Sequence, residues 1–144
     1  MKISMKTATL MCVIWACLFC SPALQAQQCQ DEEGITKDYL KDLNDRVETT
    51  RKESLADFEK GYHQKSSLTK LSITLGMVKE LVECLEKAGQ DPAAPKDQAD
   101  ANKTKQEMYS KVAEKLAADQ KALKAAEDSK AAKVLIEKFD YSSK

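Results

Sequence analysis

The sequence predicts an all-α protein: an antiparallel helical hairpin followed by a long Ala/Lys-rich C-terminal helix, as a three- to four-helix bundle or a coiled-coil-like arrangement. Three observations lead there. Charged residues make up 32% of the 144-residue chain and aromatics only 6%, and the chain is rich in Ala, Lys, Glu and Leu, a composition that suits long helices with thin apolar seams. Apolar residues recur at spacings of three and four in three separate stretches, which is the helical period. Helix-breaking residues are concentrated at two places, 61–67 and 89–96, so two connections and three main helices are expected.

The chain opens on a different pattern. Lys2 and Lys6 precede an apolar run, Ala8–Cys20, which Ser21-Pro22 ends and Ala23-Leu24-Gln25-Ala26 follows. A basic start, a short apolar stretch and small residues are the layout of a secretory signal peptide. The run is shorter than the ~18–20 residues a bilayer-spanning helix needs. Residues 1–26 are therefore expected to direct export, to a periplasmic or extracellular location, with no stable membrane insertion once removed. A cut after Ala23 has the small pair Ser21/Ala23 before it; a cut after Ala26 has the larger Leu24 at the third position back. Lipid attachment at Cys17 fits poorly behind Trp15. Removing residues 1–26 leaves 118 residues, read as a single helical domain (27–144), and takes away Lys2 and Lys6, so that 21 basic side chains stand against 23 acidic ones, a net charge of −2. A near-neutral, mixed-sign surface lacks the basic face that nucleic-acid binding requires.

The first helix is expected over about 36–60. Gln27–Gly34 reads as a polar lead-in, with Thr36 as an N-cap and Asp31, Glu32 and Glu33 favouring the positive helix end. Leu40, Leu43 and Val47, then Leu55, Phe58 and Tyr62, carry the helical spacing, while Thr50 and Ser54 sit where apolar residues belong. Gly61 can end this helix in a left-handed conformation, and Ser66 or Ser67 can cap the next.

The second helix, about 67–88, has the cleanest pattern. Leu68, Leu71, Leu75, Val78, Val82 and Leu85 form one stripe, and Ile73, Met77, Leu81 and Cys84 adjoin it. This helix is expected to centre the core. Gly89, Pro92 and Pro95 then make a linker over 89–96. The third helix, about 97–139, carries a narrow seam of Met108, Val112, Leu116 and Leu123, too thin for full burial, and this seam is the candidate partner contact or self-association surface. Asp119 and Lys130 interrupt it, and Asp128 or Ser129 can cap a last helix through Leu135 and Phe139. Asp140–Lys144 is expected to fray.

Of five cysteines, Cys12, Cys17 and Cys20 lie in the apolar run, leaving Cys29 and Cys84. Two cysteines in an oxidising compartment most simply pair. The pairing discriminates between architectures. A straight helix over 36–88 would span roughly 80 Å and hold the two far apart, whereas bridged cysteines need Cα atoms within about 7 Å. An intrachain Cys29–Cys84 bond thus requires the chain to fold back near 61–67.

Chemistry-bearing motifs are scarce. His63 is the single histidine, and in a connecting segment it reads as a solvated loop residue. Two thiolates and one histidine are too few for a zinc site. The carboxylates alternate with lysines at helical spacing, as on solvated faces. The four glycines form no phosphate loop. No catalytic, cofactor or metal residues are assigned, and Asn102-Lys103-Thr104 is a glycosylation sequon of little weight. The expected role is non-catalytic: an exported binding, adaptor or structural protein acting through helix–helix contacts. The alternative is a carrier of a small apolar ligand between helices near Leu75, Val78 and Val82.

Overall fold

A computed structural model of the chain describes the backbone of residues 22–142 and side chains from Ala26 onward. The signal-peptide reading falls mostly on residues outside this range. Among the described residues, five helices form: α1 (Pro22–Lys52), α2 (Leu55–Lys60), α3 (His63–Gly89), α4 (Lys96–Lys124) and α5 (Ser129–Ile136). The expected all-α bundle is what the chain adopts.

Helix α1 starts well before the expected position. Gln27–Gly34 is helical, not a lead-in, because glutamine and glutamate are good helix formers and bond along the helix: Gln27 Nε2 donates to Asp31 at 3.1 Å and Gln28 Nε2 to Glu32 at 3.2 Å. Thr36 is therefore an interior residue, and it is buried. Both candidate cut sites, after Ala23 and after Ala26, lie in the opening turns of α1.

The connection to α3 also differs from expectation. The first helix does not run to residue 60. Ser54 interrupts it by capping α2, its hydroxyl accepting from the Asp57 amide at 3.1 Å. Such a cap satisfies a helix-start N–H that has no partner within the helix. The reversal is then made at Tyr62, not at Gly61 and not across 61–67. Tyr62 has φ 52° and ψ 38°, whereas Gly61 keeps a negative φ of −82°. A side chain in the left-handed region costs roughly 1–2 kcal/mol, so the turn is held there by what packs around it. Gly61 has a separate reason to lack a side chain: a Cβ there would run into the His63 ring. Ser66 and Ser67 lie inside α3 and cap nothing.

After the proline linker, α4 ends at Lys124, so the expected third helix is two. Asp128 caps α5 by accepting from the Ala131 amide at 2.7 Å. The segment after α5 is packed through Tyr141, not frayed, and residues 143–144 lie outside the described range. Phe139 and Tyr141 are buried. The Tyr141 amide donates to Asn44 Oδ1 at 2.9 Å, its hydroxyl donates to Asp119 Oδ2 at 2.8 Å, and the Lys115 ammonium lies 4.8 Å from its ring centre. Burial, and then the Asp119 carboxylate, push the Tyr141 phenol far above its ordinary range, so it stays a neutral donor.

Helix α3 lies between α1 and α4 and packs along both. Its stripe Leu71, Leu75, Val78, Leu81 and Leu85 meets Leu40, Leu43 and Val47 from α1 and Tyr109, Leu116 and Leu123 from α4 in one apolar cluster, closed at the elbow end by Phe58, Ala132 and Ile136. Three links fix the antiparallel register of α1 against α3. They are the Cys29–Cys84 disulfide with Cα atoms 5.7 Å apart, the Asp42–Lys70 ion pair, and the Glu53–His63 contact at 2.8 Å. The fold-back the cysteines require is present.

Helices α1 and α4 run parallel and are tied by side chains. Glu33 is buried on α1, accepting from Lys105 at 2.6 Å and from the Tyr109 hydroxyl at 3.1 Å, with Lys37 2.9 Å away. Burial pushes this carboxyl up, but hydrogen bonds and charge from Lys105 and Lys37 outweigh it and leave it below its ordinary 4.5. A group lowered on folding contributes stability above its unfolded value and loses it as pH falls through the folded one. Glu33→Gln is therefore expected to cost about 1 kcal/mol at neutral pH and to flatten the decline of Tm below the ordinary carboxyl value. Melting curves of both proteins across the acid range check this.

Candidate functional site

The seam assigned to partner contact is divided by the fold. Leu116 and Leu123 are fully buried in the core, while Met108 and Val112 remain half-exposed. These two border a cleft of about 520 Å³ walled by Thr104, Lys111, Lys115 and Tyr141. The seam is continuous in sequence, but only its first half reaches the surface. Leu75 and Val78 are core residues and Val82 packs against them. The clefts at Met108, at the disulfide (about 520 Å³) and at the elbow (about 240 Å³) are lined by other residues.

A second surface was not assigned from sequence. On α1, Ile35 and Tyr39 are 49% and 39% exposed, and on α3 Ile73 is 48% exposed beside the half-buried Met77. Each pair is four apart and shares one helix face. The Asp42–Lys70 ion pair shows how the two faces meet. Tyr39 lies one turn before Asp42 and Ile73 one turn after Lys70. In antiparallel helices this sets Tyr39 beside Ile73, Ile35 beside Met77 and, one turn further, Glu32 beside Glu80. The result is a short apolar strip across two helices, two residues on each and about 6 Å along the axis at ~1.5 Å per residue. Lys70 and Asp42 rim one end, Glu32 and Glu80 the other. The half of this strip on α3 was legible as the stripe adjoining the core. The half on α1, Ile35 and Tyr39, lies at the start of the expected first helix but off the spacing of Leu40, Leu43 and Val47, so the pattern did not single it out.

The elbow holds the third notable cluster. His63 is not a solvated loop residue. It opens α3, its ring packs edge-on against Phe58 at 5.8 Å, and its Nδ1 lies 2.8 Å from Glu53 Oε2. That is a close contact without hydrogen-bond geometry. Six buried side-chain polar atoms lack a hydrogen-bond partner among the described residues, and all belong to this end of the α1–α3 seam. They are Arg46 Nε and Nη2, Thr50 Oγ1, Glu53 Oε1, His63 Nδ1 and Ser67 Oγ. A buried polar atom without a hydrogen bond is costly. Thr50 is 0% exposed, so Thr50→Val, which keeps the shape and removes the hydroxyl, is expected to raise stability by about 1 kcal/mol. Urea unfolding of the two proteins measures it.

Among the described residues, no group of three or more His, Cys, Asp or Glu side chains is arranged to hold a metal ion, and no helix is long and apolar enough to cross a membrane. Compared with protein families, curated proteins and solved structures, the chain matches none of them. Fold and surface alone therefore define its class, a disulfide-pinned helical bundle with an uncovered apolar strip.

Proposed function

We propose that this is an exported, non-catalytic binding or adaptor protein that acts through contacts between helices. The strip of Ile35, Tyr39, Ile73 and Met77 carries the reading. Burying large apolar side chains against a protein surface is worth about 25 cal/mol per Å² removed from water, and grouped apolar residues with charged rims mark such surfaces. The helices have already filled their own core, so the strip is available for contact with another chain. Export rests on the layout of residues 1–26 and agrees with the pairing of Cys29 with Cys84. Among the described residues, the carboxylate–imidazole contact of Glu53 and His63 braces a turn, which supports a binding role over a catalytic one.

The test is photo-crosslinking in the producing cell, with a photoreactive amino acid at position 73 and, as control, at the exposed Lys79 on the same helix. The expected result is a discrete protein adduct from 73 and none from 79. Equal or absent labelling at both positions would reject the reading.

A further inference from the structure

We infer that the mature chain begins at Gln27 and that this residue is a modification site, where the side chain closes on its own α-amino group to form pyroglutamate. This rests on the export reading above and goes beyond it by fixing the cut and the fate of the new chain end.

Two features of the sequence choose the cut after Ala26 over the cut after Ala23. An extended peptide docks on a protein by pairing its backbone, as a strand added to a sheet edge does. With the cut after Ala23, Pro22 stands second before the broken bond, and proline has no N–H to pair. That cut also falls three residues beyond the apolar run ending at Cys20, against six for the cut after Ala26. The earlier cut leaves less chain to extend between the run and the bond to be broken. Leu24 is the one feature against the later cut, and it is an uncharged aliphatic side chain.

Helix α1 supplies the rest. It opens at Pro22 in the full chain, so cleavage after Ala26 makes Gln27 its first residue. The new α-ammonium then stands at a helix end that already carries partial positive charge from N–H groups without partners. Closing the ring removes that ammonium. The reacting groups are also within reach of each other. Gln27 is exposed, and its amide is held at the surface by a hydrogen bond from Nε2 to Asp31 at 3.1 Å. Cys29, two residues on, is buried and bonded to Cys84. The packed part of the molecule thus starts directly behind Gln27 without enclosing it.

The step needs no co-reactant. The α-amino nitrogen attacks Cδ, and the new C–N bond closes a five-membered lactam. The Cδ–Nε2 bond breaks, and ammonia leaves with the proton that the amine gives up. The product has no free amino terminus, so an exopeptidase that grips one has nothing to hold, and the disulfide-pinned end of α1 is sealed.

The experiment is intact mass and amino-terminal sequencing of the protein recovered from cells expressing the full chain, quenched in acid on recovery so that ring closure during handling stays out of the result. Gln27→Ala is run alongside. After reduction, the expected mass is that of residues 27–144 less one ammonia, and stepwise degradation from the amino end reads nothing. Treating the unfolded, alkylated chain with pyroglutamyl aminopeptidase is expected to open a sequence beginning Gln28-Cys29-Gln30. Gln27→Ala is expected to start at the same position, to lose no ammonia and to be readable at once. A chain that starts at Gln27 and keeps its ammonia in most molecules would overturn the modification. A start at Leu24, or at another residue after the apolar run, would overturn the site and leave the export reading standing. A chain that still carries residues 1–20 would overturn both.

Discussion

Cys29→Ser is expected to lower the free energy of unfolding by about 4 kcal/mol, the chain-entropy value for a loop of this length. The bond joins residues 55 apart in sequence and closes the open end of the α1–α3 hairpin, opposite the elbow. Without it the unfolded chain regains the freedom the loop denied it, and α1 is held at that end by packing and by Glu33. Total stabilities of ordinary domains are about 5–15 kcal/mol, so the loss is a large share. Urea unfolding of the variant, and of the unmodified protein with and without reductant, measures it. Reduction should reproduce most of the effect, because it leaves the buried sulfur in place. Amide exchange should quicken first around residues 26–36, ahead of the α3–α4 interface. A midpoint unchanged by reduction would show that packing alone sets the hairpin.

Leu116→Ala is expected to cost about 3 kcal/mol, within the range for a leucine removed from a filled core. Leu116 is 0% exposed and sits on the α4 face turned toward α3. Met108→Ala, eight residues earlier and half-exposed, is expected to cost less than about 1 kcal/mol. Denaturant midpoints of the two variants give the comparison directly. Equal, small effects would show that the whole seam is surface and that α4 is held to the bundle by other residues.

Much of the architecture follows from local signals. The stripe from Leu71 to Leu85 is long and regular, and its burial is what period 3.6 demands of the central helix. Asp128 is a cap because its side chain reaches an amide three residues on, a distance fixed by the chain itself. The cysteines, read as a geometric constraint, require the fold-back that exists. What was not legible depends on contacts between distant residues. Nothing near Tyr62 announces a left-handed tyrosine; the conformation is imposed where Phe58, His63 and Glu53 pack together. Tyr141 looks like part of a fraying tail until Asn44 and Asp119 are brought beside it by the parallel packing of α1 and α4. The α1–α3 strip needs the register of two helices, and neither helix alone sets that register. The seam from Met108 to Leu123 was legible as apolar, but which part of it turns inward is decided by where α3 lies.

The anchoring of Tyr141 bears on the order in which the molecule can be built. Chains emerge from the ribosome N-terminus first, and their parts fold as they become available. The hairpin of α1 and α3, with both of its cysteines, is complete once residue 89 has emerged. The clasp between α1 and α4 is not, because Tyr141, which reaches both Asn44 and Asp119, is among the last residues made. Until Tyr141 is made, the chain is in a state in which α1 and α4 share the core and the Glu33 contacts but lack this clasp. A chain that stops short of Tyr141 never leaves that state.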